Sequence, residues 1–88
     1  MVTLPSNQLI EAALLALVVQ RGKHTSACPS EVARRVSPAD WRKLMPLVRD
    51  VARQLALRGL LDISQGGKSV SPDEPWKGPI RLRLPSGT

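Results

Sequence analysis

The stretch Ile80-Arg81-Leu82-Arg83-Leu84 alternates without a fault, apolar residues on one side and arginines on the other. Successive side chains of a strand point to opposite faces, so this segment has one face to bury and one to keep wet. Two strands alone are marginal in water. The rest of the chain must therefore supply a partner strand and an apolar layer to cover the aliphatic face. With two Trp and no Phe or Tyr among 88 residues, that layer has to be built from Leu, Val, Ile and Ala, which suits packed helices better than a second sheet.

Helical periodicity upstream meets the requirement. Leu9, Ile10, Ala13, Leu14, Leu17 and Val18 recur at helical spacing over residues 7–21, with Ser6 as N-cap, Pro5 resisting extension upstream and Gly22 as the stop. Leu15 and Val19 widen this apolar surface beyond one stripe and read as core, with a self-association face as the alternative. Residues 24–27 are short and extended in character. Cys28-Pro29-Ser30-Glu31 then opens a second helix, with Pro at N1 and Glu at N3, and Val32, Ala33 and Val36 form its buried side. Ser37-Pro38-Ala39-Asp40 repeats the same start signal. From Trp41 to Gly59 the pattern is again helical, but Pro46 interrupts it; a mid-helix proline costs about 3 kcal/mol, so a break near Met45 is expected, with Pro46 opening a separate third helix. Trp41 is expected in the core.

Residues 60–64 read as a strand, 66–78 as a long turn-rich loop, 80–84 as the final strand and 85–88 as a tail. The expected fold is α+β, mainly α: a winged helix-turn-helix of three helices plus a small antiparallel β-hairpin wing, with residues 24–27 adding a third strand. One domain spans 1–88, with its core from about 6 to 84.

Thirteen Lys and Arg against seven Asp and Glu give a net charge of +6 and an isoelectric point near 10.8. Such a balance favours polyanionic partners. The single cysteine forms no intramolecular disulfide, and the apolar run of residues 12–19 is too short to span a bilayer and has the wrong flanks for a signal peptide, which points to the cytoplasm and away from a membrane. One His and one Cys cannot complete a zinc or non-haem iron site within the chain. Gly67-Lys68-Ser69 ends like a phosphate-binding loop, but Asp62 stands where the first glycine belongs and no helix follows, so it reads as a hairpin turn. Cys28 at a helix start, with His24 four residues upstream, lies in no recognised nucleophile motif and reads as structural. No enzyme and no cofactor is expected.

The segments "CPSEVAR", "DWR.LM", "VR" and "GPIRLRL", in that order, resemble a small bacterial winged-helix family of unknown function, with the resemblance running from about Ile10 to Leu84. It implies the winged-helix fold and no particular activity. The functional expectation therefore rests on the residues. A winged helix lays its third helix in the major groove and its hairpin along the backbone, and here the cations concentrate on those elements. Arg49, Arg53 and Gln54 are expected to face a groove, with Arg42, Lys43, Lys68, Lys77, Arg81 and Arg83 on phosphates. The expected role is nucleic-acid binding, DNA ahead of RNA, with modest sequence specificity because Gln54 is the only amide in the reading helix, and transcriptional regulation as one use. The alternative is a protein–protein interaction module, including a homodimer through the first helix. Trp76 either stacks on a base or packs down to anchor its loop, the second being favoured.

Overall fold

The computed structural model describes residues 6–85. Pro5 and the end of the tail, residues 86–88, lie outside the described residues. Three helices and a small antiparallel sheet enclose one hydrophobic core.

Helix α1 (Asn7–Arg21) starts where Ser6 Oγ accepts the Leu9 amide at 3.2 Å. It buries Ile10, Leu14, Leu17 and Val18 completely. Gly22, at φ 82°, closes it by donating its amide to the Val18 carbonyl. Helix α2 (Pro29–Val36) begins with Cys28 in extended conformation and Pro29 at N1; the Glu31 carboxylate reaches back to accept the Cys28 amide at 3.1 Å. Burial pushes the Glu31 carboxyl up, but the Arg21 guanidinium at 3.1 Å, the Cys28 amide and the charge of Arg81 outweigh it and hold the group below its ordinary range.

Helix α3 (Trp41–Leu57) runs straight through Pro46, so the expected break near Met45 does not occur. The position of the proline explains this. The first four helical amides have no acceptor within a helix, and Pro46 is only the sixth residue, so one bond to the Arg42 carbonyl is forfeited on an exposed face. Leu44, Val48, Val51, Ala52 and Leu55 form one buried stripe across it. Each large side chain in that stripe contributes about 1.5–3 kcal/mol by burial, and a break between Leu44 and Val48 would re-aim several of them. Continuity wins. The Ser37-Pro38 start signal is likewise not used as a helix: residues 38–40 form a turn, and α3 begins one residue after Asp40.

Gly59, at φ 76°, ends α3 with paired bonds: its amide donates to the Ala56 carbonyl and the Leu60 amide to that of Leu55. The chain then enters β1 (Asp62–Gln65), turns at Gly66-Gly67 with both residues at positive φ, and returns as β2 (Lys68–Ser69). Strand β3 (Arg81–Arg83) pairs with the other edge of β1, placing Leu82 opposite Ile63. The sheet order is β2-β1-β3, and Leu61, Ile63, Ile80 and Leu82 face the core. Its third strand is thus β2, where residues 24–27 were expected. That segment contributes a single bridge, in which Ala27 and Leu82 exchange two hydrogen bonds of 2.7 and 2.8 Å. On one side it extends no further because the next hydrogen-bonded pair would need the amide of residue 29, which Pro29 lacks. The arrangement of helix, bridge, helix-turn-helix and hairpin is compatible with a winged helix.

Candidate nucleic-acid interface

Helix α3 presents three faces. The core face has been described; a second faces the loop of residues 71–78, and the third, carrying Arg42, Pro46, Asp50 and Gln54, is exposed.

Arg49 and Arg53 belong to the loop face. Arg49 donates to the carbonyls of Trp76 and Gly78 at 3.1 and 3.2 Å. Arg53 donates to the carbonyls of Glu74, at 3.0 Å, and Pro72. Its guanidinium lies 4.0 Å from the Trp76 ring centroid, with that of Arg49 at 5.9 Å. The indole N–H of Trp76 in turn donates to the Ser71 carbonyl at 3.0 Å. Trp76 therefore packs down, and the two arginines expected to face a groove grip the loop through its backbone. Gln65 adds bonds to the carbonyls of Lys77 and Pro79 at 2.8 and 3.2 Å. Beside them a shallow groove of about 440 Å³ is lined by Met45, Pro46, Arg49, Asp50 and Arg53.

At the start of α3 the arrangement differs. Trp41 is half-buried rather than fully in the core, and its ring carries two guanidiniums, Arg42 at 4.8 Å and Arg34, from α2, at 4.4 Å. Both arginines are exposed, and neither donates a hydrogen bond or meets a carboxylate among the described residues. Lys43 is exposed beside them, its Nζ 4.0 Å from the Asp40 carboxylate, a contact too loose and wet to hold it. Arg34 is absent from the residues expected to bind: it lies on the exposed side of α2, and only the α2–α3 turn brings it onto Trp41.

The remaining candidates divide similarly. Lys68 on β2 and Lys77 in the loop are exposed, with no carboxylate on either Nζ among the described residues. Gln54 is exposed on the outer face of α3. Arg81 and Arg83 lie on the sheet face away from the helices and are held there. Arg83 pairs with Asp62 at 2.6 Å and donates to Ser69 Oγ at 3.2 Å; Arg81 donates to Ser26 Oγ and the Ser26 carbonyl at 2.8 and 3.1 Å. Cys28 is half-buried, its sulfur 3.5 Å from an Arg81 nitrogen. No group of three or more His, Cys, Asp and Glu side chains gathers as a metal site among the described residues, and no described helix is long and apolar enough to cross a membrane.

An α+β unit of three helices and a three-stranded sheet, with its cations sorted in this way, is the class of protein that the fold defines. Residues 7–85 match the family described as Protein of unknown function (DUF3253), and the chain belongs to that family. No curated protein matches it with significant similarity.

Proposed function

We propose that this chain is a non-catalytic nucleic-acid-binding protein of the cytoplasm, acting on double-stranded DNA ahead of RNA, with regulation of transcription as its plausible use. The observation that carries the reading is the group formed by Arg34, Trp41 and Arg42 at the exposed start of α3. Two guanidiniums are spread on one indole with their N–H donors unclaimed. In a helix-turn-helix the first residues of the second helix reach base edges, and residues at the turn meet phosphates. Lys43, Lys68 and Lys77 supply further phosphate contacts, and Gln54 is left as the one amide for reading a base.

In this reading Arg49 and Arg53 act at one remove, by setting where the loop and its Lys77 stand. Arg81 and Arg83 contribute field more than contact. Asp50, on the exposed stripe of α3, repels phosphate and limits the approach to the first turns of the helix, so specificity is modest.

Fluorescence anisotropy of a labelled random duplex, titrated at several salt concentrations, tests this. Contacts to about four or five phosphates should give a slope of log K against log salt of roughly −4. Absence of binding at low salt would refute the proposal.

A second reading, a protein-interaction module that includes a homodimer through α1, is favoured by one observation. Val19, expected in the core, is instead 63% exposed at the outer side of α1 with Leu9 at 53%, whereas Leu15 packs partly against the core. Sedimentation that remains monomeric at high concentration would remove the homodimer.

A further inference from the structure

At the junction between α1 and the sheet lies a second cavity, of about 280 Å³, lined by Lys23, His24, Thr25, Ser26 and Arg83. All five residues carry side-chain hydrogen-bond donors or can present one, and no carboxylate lines the cavity. We propose that this pocket binds a phosphate group, a site separate from the start of α3.

The walls are held in place from behind. Arg83 is fixed by its bonds to Asp62 and Ser69. The Ser26 carbonyl accepts from Arg21 at 3.4 Å and Arg81 at 3.1 Å, and Ser26 Oγ accepts from Arg81 Nε at 2.8 Å. Because that hydroxyl is already an acceptor for Arg81, its own proton is free to be donated into the cavity. The Thr25 hydroxyl makes no bond among the described residues, and the amides of residues 24–26 make no backbone bond there. Tetrahedral oxyanions are recognised by such a mixture of hydroxyls, amides and cations.

The charge balance agrees. Asp62 neutralises Arg83 and Glu31 neutralises Arg21, but Arg81 and Lys23 meet no carboxylate. The C-terminal end of α1 brings about half a negative charge to the same junction, against two full positive charges from Arg81 and Lys23. Counted over these groups, positive charges around the cavity outnumber negative ones.

The ligand chemistry is that of phosphate, either as a free or terminal group or as a diester within a nucleic-acid backbone. Amide chemical shifts of the labelled protein, titrated with inorganic phosphate against sodium chloride of matched ionic strength, test the site. Saturable shifts confined to residues 23–26 and neighbours of Arg83 are expected, with binding weakened about fivefold or more in Lys23→Gln and in Thr25→Val. Both residues are exposed, so the variants should fold as the parent does. Shifts no different from those in chloride, or equal affinity in both variants, would overturn the proposal. A parallel titration with a dinucleoside monophosphate separates the sources: binding there assigns the pocket to a backbone diester, and binding of inorganic phosphate alone assigns it to free or terminal phosphate. The site does not depend on the duplex-binding reading. A protein that fails to bind duplex but passes the phosphate titration keeps the pocket, and one that binds duplex without phosphate shifts at residues 23–26 loses only the pocket.

Discussion

Each of the two tryptophans carries two arginines, yet the two groups do opposite work. At Trp76 the guanidiniums of Arg49 and Arg53 donate to four loop carbonyls, and the indole N–H is bonded as well. At Trp41 the guanidiniums of Arg34 and Arg42 stack on the ring and donate to nothing among the described residues. The same pair of residue types thus makes a joint in one place and an open donor surface in the other. What differs is the backbone nearby. Residues 71–78 are rich in Pro and Gly and form no ladder, so their carbonyls need donors. Around Trp41 most of the backbone is helical, and Arg34 and Arg42 donate to no carbonyl among the described residues.

If this contrast is right, removing the Trp76 side chain should have the largest effect on stability. Trp76→Ala is expected to lower the unfolding free energy by about 2–3 kcal/mol in urea titrations, because the loop loses its packing and its cation–π partner together. Arg53→Ala should cost about 1–2 kcal/mol, since the carbonyls it leaves are close enough to the surface for water to reach. By contrast, the double variant Arg34→Ala, Arg42→Ala should cost only about 1 kcal/mol, from two exposed cation–π contacts, and weaken duplex binding about tenfold or more. A reversal, with the Trp41 pair costing stability and the Trp76 pair costing affinity, would break the comparison.

Two smaller effects sharpen it. Pro46→Ala should stabilise the fold by roughly 1 kcal/mol, by restoring the bond to the Arg42 carbonyl that α3 forgoes, measured by the shift in urea midpoint. If that bond steadies the first turn, it also steadies the platform under Trp41. The smallest effect is with pH. The Glu31 carboxyl is held below its ordinary value of 4.5, so its contribution is complete above that pH and is lost as pH falls through the lower, folded-state value. Glu31→Gln should therefore lower stability slightly near neutrality, change little in acid where the contribution is already lost, and so flatten the acid limb of the stability curve; the effect is small because the Arg21–Glu31 pair is about one-third exposed.

Local signals carried much of the fold. Ser6 and Gly22 bracket α1, Cys28-Pro29 with Glu31 opens α2, Gly66-Gly67 makes the hairpin turn, and the alternation around Leu82 is a strand, because each is decided within a few residues. The cost of Pro46 is outweighed by the buried stripe that spans it, which no local signal shows. The third strand expected at residues 24–27 reduces to the single Ala27 bridge, because Pro29 has no amide for the next pair. The distribution of cations was legible as a sum but not residue by residue. Nothing in the order of the sequence says that Arg49 and Arg53 meet a loop 19 to 29 residues away, or that Arg34 crosses a turn to Trp41; those pairings are made by tertiary packing.

The most direct test is a single set of anisotropy titrations on one labelled duplex at low and moderate salt, comparing the parent, Arg34→Ala with Arg42→Ala, and Arg53→Ala, with the unfolding free energy of each measured alongside. The account predicts salt-sensitive binding by the parent, a loss of about tenfold or more with only about 1 kcal/mol of destabilisation when the Trp41 arginines are removed, and a much smaller loss of affinity with larger destabilisation for Arg53→Ala. Parent-like affinity in the Arg34→Ala, Arg42→Ala protein would contradict it.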